Sequence, residues 1–128
     1  MELIFYLCRH CGNLLVPVID NFVIPVCCGE PMEELIAGST DAAVEKHVPV
    51  VEHDADGKHI NISVGSVPHP MTEEHLIQAV VLVQGDRYGA IRLKAGDDPK
   101  AVCTFDDNSM PTTVYAYCNL HGLWKADA

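Results

Sequence analysis

The sequence contains few basic residues. Only 8 of its 128 residues are lysine or arginine, against 18 aspartates and glutamates, so the formal net charge is −10. Nucleic acids and anionic membrane surfaces both attract proteins through basic patches. The composition therefore predicts that the protein binds neither nucleic acid nor membranes.

Long apolar segments and targeting signals are also missing. No apolar run approaches the roughly 20 residues that a bilayer-spanning helix requires. The N-terminal segment MELIFYLCRHCGN has neither the basic region nor the cleavage site of a signal peptide. We therefore expect a soluble, cytoplasmic protein. The length predicts one domain of ordinary size with a small additional unit.

The six cysteines are distributed unevenly. In a chain without a signal peptide, a dense cysteine cluster is more typical of metal binding than of disulfides. Four thiolates suit a tetrahedral zinc or a single iron. The adjacent pair Cys27-Cys28 should strain a tetrahedron and favours iron over zinc, although the residues alone leave both metals open. The clustered cysteines are Cys8, Cys11, Cys27 and Cys28, whereas Cys103 and Cys118 lie far along the chain.

The cysteine-rich segment predicts a separate small unit that ends near Ala37-Gly38. It contains a short strand before the first cysteine pair and a turn at Asp20-Asn21. Gly12 and Gly29 follow the two pairs, where glycine should let backbone N–H groups approach the sulfurs. So small a unit needs a metal or a dimer interface for stability. The connector that follows has no strong amphipathic period.

The remainder of the chain has the pattern of an antiparallel β-protein. A hairpin is predicted over residues 47–66 around an acidic turn, and a second over residues 76–94 around Gly85-Asp86. In the first hairpin, Ile60, Ile62 and Val64 alternate with polar residues. Two further strands are predicted at 101–106 and 112–118. Several short strands with polar turns predict an all-β, immunoglobulin-like sandwich.

A second group of candidate ligands is spread through this β-region. Cys118 and His121 have the spacing of metal ligands near the C-terminus. His47 lies at the start of the first predicted strand, His69 lies between two prolines, and His75 follows six residues later. Loops at one end of a sandwich can bring such residues together.

The other reactive or aromatic side chains have simpler interpretations. We assign His10, His53 and His59 to the surface. Cys103 is expected to be a buried strand residue that behaves as a small hydrophobe. Trp124, Tyr115 and Tyr117 are assigned to packing rather than to contacts with a cofactor.

Four motifs, in order along essentially the whole chain, together resemble the desulfoferrodoxin family of two-iron superoxide reductases. They are CRHCGN…VCCGEPM, DAAVEKHVPV, VGSVPHPM…H and YCNLHGLWKA. The resemblance implies a rubredoxin/desulforedoxin-like metal module at 1–37 and an immunoglobulin-like catalytic domain at 38–128. It implies two irons per chain. The implied ligands of the first iron are Cys8, Cys11, Cys27 and Cys28, and those of the second are His47, His69, His75 and His121 with Cys118 as the axial thiolate.

The resemblance also implies an activity. Five protein ligands leave one position open, which is typical of a catalytic metal. A thiolate opposite that position increases the electron density available there. The family reduces superoxide to hydrogen peroxide without dismutation, is dimeric, and receives electrons from an external donor such as rubredoxin. It further implies that Lys46 attracts superoxide and that Glu45 can occupy the open position in the oxidised resting state.

Two other functions remain as alternatives at this point. The protein could be a non-catalytic iron electron carrier in which the histidine site is structural, but the open coordination position argues against this. It could instead be a zinc-binding interaction module, which Cys27-Cys28 and the axial Cys118 disfavour. Without the motif around them, Glu45 and Lys46 would be interpreted as a solvated ion pair.

Overall fold

The structure is a computed structural model that describes residues 2–104 and 110–128. It is almost entirely β, as predicted, with twelve strands and one four-residue helix among these residues. The chain divides into two compact units, Glu2–Ile36 and Ala37–Ala128. No helix in the described ranges has the length and apolar character that a membrane crossing requires.

The N-terminal unit is built from very short strands. Tyr6, Cys8 and Met32 form a buried cluster in this unit. One antiparallel sheet has the order β2-β1-β5, and β3 pairs with β4 in a separate hairpin. Strand β5 was not predicted, because its sequence has no period-two pattern. The strands are β1 (Phe5–Leu7), β2 (Leu14–Leu15), β3 (Val26–Cys27), β4 (Glu30–Pro31) and β5 (Glu33–Leu35).

The second unit begins with the helix α1 (Val44–His47) and continues as two antiparallel sheets. The first sheet has the order β10-β7-β6, and the second has the order β12-β11-β8-β9. The strands of the first are β6 (Pro49–His53), β7 (His59–Val64) and β10 (Lys100–Thr104). Those of the second are β8 (Ile77–Gln84), β9 (Arg87–Arg92), β11 (Thr112–Cys118) and β12 (Gly122–Asp127).

The two sheets enclose one apolar core, which makes this unit an immunoglobulin-like sandwich. The predicted alternation in β7 is confirmed, since Ile60, Ile62 and Val64 are buried and their neighbours are only partly so. From the other sheet, Leu82 and Val114 join the same cluster. The core therefore lies between the inner faces of both sheets, as aligned sandwich packing requires.

Both predicted hairpins are present, but the start of one predicted strand differs from the structure and one strand of this unit was not predicted. The strand expected at 101–106 begins at Lys100 and is described as far as Thr104, and residues 105 and 106 lie outside the described residues. Strand β12 was missed altogether. Its partner β11 ends at Cys118, which pairs with Gly122 across a tight loop. The sequence WKADA gave no alternation strong enough to identify a strand.

Strand β11 is irregular where it reaches its last residue. Tyr117 pairs with Ala79, but Cys118 pairs with Ile77, so β8 contains one extra residue at this point. Such bulges bend a strand and re-aim a side chain, often beside a functional site. Cys118 lies at this irregularity and is completely buried.

Candidate metal centres

The four N-terminal cysteines form a compact cluster of sulfur atoms. Their sulfurs all lie within 4.8 Å of one another. The Sγ atoms of Cys11 and Cys27 are 3.6 Å apart, and those of Cys27 and Cys28 are 4.0 Å apart. Four sulfurs about 2.3 Å from one ion at tetrahedral angles are separated by about 3.8 Å. The cluster therefore has the dimensions of a tetrahedral four-thiolate site.

The protonation of these thiols shows why the cluster needs a cation. The pKa of Cys8 is lowered to about 6, mainly because the backbone N–H of Cys11 points at its sulfur. The pKa of Cys28 is raised to about 12, mainly through its hydrogen bond with the Cys11 sulfur. One thiolate thus suppresses ionisation of the next. Only a bound metal makes four thiolates stable together, because metal binding favours the deprotonated ligand.

The two cysteine turns require left-handed backbone. Gly12 and Gly29 have φ values of 81° and 75°, which glycine adopts without strain. Cys28 itself has φ 52°, an uncommon conformation for a side chain with a Cβ. As predicted, backbone N–H groups approach a sulfur in the first turn, since those of Cys11 and His10 point at the Cys8 sulfur. The N–H of Gly12 itself donates to the Cys8 carbonyl at 2.9 Å. Its role there is to close the turn.

The second cluster consists of four imidazole rings arranged as a square. Neighbouring rings are 4.6–5.0 Å apart between centroids and are nearly perpendicular. The opposite rings of His47 and His75 are 6.4 Å apart and closer to parallel, at 30°. Around the square the order is His47, His69, His75 and His121. Cys118 belongs to the same group, with its Sγ 4.0 Å from Nδ1 of His121.

Hydrogen bonds orient two of the four rings toward the middle of the square. Nδ1–H of His47 donates to the Ala43 carbonyl at 2.6 Å, and Nδ1–H of His69 donates to the Pro70 carbonyl at 2.7 Å. Both Nε2 atoms then carry only a lone pair, yet they lie 3.1 Å apart. Two lone pairs repel at that distance unless a cation lies between them. Metal-binding histidines have this pattern of one tethered nitrogen and one free nitrogen.

Burial keeps the imidazoles in the neutral form that binds metals. It lowers the pKa of His47, of His75 and of His69, the last to about 4. Nε2 of His75 is buried and has no hydrogen-bond partner among the described residues. An unpaired buried nitrogen is costly and needs an explanation. A metal ion at the centre of the square accounts for it.

Cys118 and His121 are both held by the hairpin loop that joins β11 to β12. Burial raises the pKa of the Cys118 thiol, while the backbone N–H groups of His121 and Leu120 lower it. These donors point at the sulfur and stabilise its thiolate form. The loop needs left-handed backbone at Gly122, which has φ 78°. A Cβ there would also lie 2.9 Å from Oγ1 of Thr40.

Trp124 is a contributor to this site that sequence analysis did not identify. It is buried, at 4% exposure, which confirms the predicted packing role. Its ring also stacks on the His47 imidazole, with centroids 4.9 Å apart and planes at 28°. Its Nε1–H donates to the His121 carbonyl at 3.0 Å. Trp124 therefore contacts two candidate ligands at once.

Glu45 and Lys46 are exposed and lie in α1, directly before His47. The turn at Gly65 packs tightly against this helix. The N–H of Val67 donates to the Glu45 carbonyl at 2.9 Å. A Cβ on Gly65 would come within 2.7 Å of that carbonyl, and Gly65 has φ 83°. The fold thus fixes the backbone that presents Glu45 and Lys46.

The remaining candidates lie outside both clusters. His10 is exposed and its Nε2 is 2.9 Å from Oε2 of Glu30. His53 is exposed, and His59 forms an ion pair with Asp56 in the acidic turn. Cys103 is half-buried rather than fully buried and packs against the sandwich core. Tyr115 and Tyr117 are buried, as predicted.

A β-sandwich that gathers four imidazoles and one cysteine sulfur, in a chain with a separate four-cysteine cluster, defines a non-haem metalloprotein with two centres. The family model for desulfoferrodoxin matches residues 39–127. The chain belongs to the desulfoferrodoxin family. The two clusters fit the two iron sites of that family, so the cofactor is iron, with one four-cysteine site and one four-histidine, one-cysteine site per chain.

Individual relatives match the chain over nearly its full length. The desulfoferrodoxin of Clostridium acetobutylicum is 44% identical, covering 98% of this chain and 97% of the relative. That of Nitratidesulfovibrio vulgaris is 45% identical, covering 96% and 94%. The crystal structure of the superoxide reductase from Treponema pallidum superposes with a TM-score of 0.80 at 29% identity, covering 98% and 97%.

Proposed function

We propose that this protein is a superoxide reductase, which reduces superoxide by one electron to hydrogen peroxide without dismutation. The observation that carries the proposal is the square of four imidazoles with the Cys118 thiol beside it. Together they supply five ligands from the described residues, and an octahedral ion would keep one position for a small substrate. The similarity to a Treponema pallidum protein described as a superoxide reductase supports the same activity.

We assign this activity to residues 38–128 and the other metal site to residues 1–37. The match of the family model to 39–127 supports the first assignment. The proposed ligands of the catalytic iron are His47, His69, His75, His121 and Cys118, and those of the other iron are Cys8, Cys11, Cys27 and Cys28. Their convergence into two clusters supports these assignments.

Reduction of superoxide consumes one electron and two protons for each hydrogen peroxide formed. When bound, iron supplies that electron and the open coordination position. The four imidazoles would hold the ion, and burial lowers the pKa values of His47, His69 and His75, which favours the neutral form that binds metal. Cys118, with two backbone N–H groups aimed at its sulfur, would provide a thiolate that adds electron density to the bound iron.

Lys46 acts on the superoxide that enters the site, and Glu45 acts when the product leaves. The protein has a net charge of −10, which repels an anion at long range. Salt screens charges beyond about 8 Å under physiological conditions, so local charges dominate. Lys46 is the cation next to His47 in the chain, and it attracts superoxide and orders water for protonation. Glu45 takes the open position in the oxidised resting state.

The oxidised site must be reduced again by an external donor, and we propose a rubredoxin-like protein. We also propose a homodimer, because the N-terminal unit leaves several large apolar side chains exposed, and such exposed patches mark interaction surfaces. Sedimentation at micromolar concentration should give twice the chain mass, and a monomer would contradict this. The most exposed apolar residues are Phe22 at 82%, Val18 at 80%, Ile19 at 77% and Val23 at 76%.

The activity is tested by product stoichiometry. The iron-loaded, reduced protein is exposed to a pulse of superoxide, and peroxide and dioxygen are both measured. Reduction yields one peroxide for each superoxide consumed and no dioxygen. Dismutation would yield half as much peroxide together with dioxygen, and would overturn the proposal. Absence of any reaction would favour the electron-carrier alternative.

A further inference from the structure

Asn119 joins the two segments that carry His75 and Cys118. It lies in the β11–β12 loop, one residue after Cys118. Its Nδ2 donates to the Glu74 carbonyl at 2.9 Å, and its Oδ1 accepts from the Leu76 N–H at 3.0 Å. Its own backbone N–H donates to the Leu76 carbonyl at 3.2 Å. Asn119 therefore holds the chain on both sides of His75.

His75 depends on its backbone more than His47 and His69 do. His47 and His69 each have Nδ1 tied to a backbone carbonyl. Among the described residues, the His75 ring has no such bond, and its Nε2 is buried and unpaired. Thr72 fixes the backbone of His75 itself, since Oγ1 of Thr72 accepts from the His75 N–H at 3.1 Å. The direction of this ring is thus set by backbone contacts.

Only an amide side chain of this length can make both contacts. The Glu74 carbonyl needs a donor and the Leu76 N–H needs an acceptor, and the asparagine amide offers both on adjacent atoms. Aspartate has the same shape but no N–H to donate. Serine has a single oxygen on a shorter stem. The requirement for asparagine is therefore specific to this geometry.

We infer that Asn119 is a positioning residue that fixes the His75 imidazole in the ligand square relative to the Cys118 thiolate. It touches no metal and acts through His75. Movement of that ring changes the ligand field and hence the thiolate-to-iron absorption of the centre, which a purely structural contact elsewhere does not alter. The inference rests on the proposed ligand set, not on the reaction.

The test uses the full-length, iron-loaded protein and the variants Asn119→Ala and Asn119→Asp. Asn61→Ala is the matched control, because it removes an amide whose Nδ2 donates to Asp54 in the acidic turn. Two properties are measured: the thiolate-to-iron band of the oxidised histidine centre, and the rate at which a chelator removes its reduced iron. The bands of the four-cysteine centre serve as an internal standard. Thermal unfolding is recorded for every variant.

Both Asn119 variants should displace the band and release iron about tenfold faster or more, the scale expected when support for a ligand is lost. Asn61→Ala should leave both properties unchanged whatever it does to thermal stability. If Asn119→Ala does not fold, Asn119→Asp carries the same test. If a folded Asn119 variant has the same thiolate-to-iron band and the same iron-release rate as the unaltered protein, the inference about Asn119 is wrong, while the proposed ligand set stands. Failure of the unaltered protein to load iron at the histidines would overturn the ligand set and this inference together.

Discussion

The two centres of this protein are built in opposite ways. The four-cysteine cluster uses ligands from two tight turns within the first 28 residues. The histidine cluster draws its ligands from α1, from the loop between β7 and β8, and from the β11–β12 hairpin, between His47 and His121. The first site is defined by local turns, whereas the second exists only when the sandwich has folded. A site assembled from distant segments can leave one coordination position without a protein ligand.

The two centres also differ in the electrostatics of their ligands. Contact with the other thiols raises the pKa of Cys28 to about 12, whereas the backbone N–H of Cys11 lowers that of Cys8 to about 6. Four imidazoles need no ionisation, and burial holds the pKa of His69 down at about 4. A bound cation therefore stabilises the four thiolates of the cysteine site most strongly, and these four ligands complete its tetrahedral coordination. The histidine site can bind a metal without prior loss of protons from its imidazoles. Its five proposed ligands would leave one coordination position for a substrate.

The largest expected effect comes from removing a histidine ligand. His47→Ala deletes the ring that contacts His69, His121 and Trp124. The rate with superoxide should fall by more than about a hundredfold, because even the loss of an outer support of a ligand costs 10–100-fold. Pulse kinetics measure the rate, and iron analysis should show one iron fewer per chain.

The control for this substitution is His53→Ala, which removes an exposed histidine at the far end of β6. It should retain both irons and the full rate. The bands of the four-cysteine centre should persist in His47→Ala. Loss of these bands would mean that the four-cysteine centre does not form independently of the histidine centre.

Lys46→Ala should have the next largest effect on the rate with superoxide. A local charge in an electrostatically steered encounter is worth about one to two orders of magnitude. The difference from the unaltered protein should shrink as salt rises. Lys58→Ala removes the same charge from the acidic turn and is the matched control. Equal rates and equal salt dependence for Lys46→Ala and the unaltered protein would leave Lys46 as a solvated residue.

The sequence predicted the local features of both units well. Period-two alternation identified β7, and the turns at 54–57 and Gly85-Asp86 identified two hairpins, because these signals depend on neighbouring residues alone. The cysteine cluster was predicted for the same reason. The four ordered motifs pointed to the family and to the residues that the fold brings together at the second centre.

What the sequence did not predict depends on tertiary contacts. Strand β12 has no clear alternation and is fixed by pairing with β11. The stacking of Trp124 on His47 and the amide bridge of Asn119 join residues more than forty positions apart. Strand β5 forms because Glu33–Leu35 pairs with β1, although its residues are mostly exposed. No spacing rule connects such partners.

Cys28→Ser should change the visible absorption of the protein far more than its rate of superoxide reduction. It removes one of four sulfurs, from a residue with φ 52°, and should abolish the thiolate-to-iron bands of the first centre. Superoxide reduction should remain largely intact, because the histidine cluster has its own ligands. Cys103→Ala removes a cysteine outside both clusters and should keep all bands. Loss of colour and rate together in Cys28→Ser would show that the first centre is required for turnover or folding.

Glu45→Ala should have the smallest effect on the encounter and a clear effect afterwards. On the proposal that the Glu45 carboxylate would bind the oxidised iron at its open position only after product formation, its removal should leave the first bimolecular rate nearly unchanged. The position would pass to solvent, and the band of the resting oxidised centre should shift accordingly. Glu52→Ala, an exposed glutamate on β6, is the matched control for loss of one negative charge. The Val67 N–H to Glu45 carbonyl bond is made by the backbone and survives the substitution. A shift in the band therefore reports the carboxylate rather than a displaced turn, and an unshifted band would exclude Glu45 as a ligand.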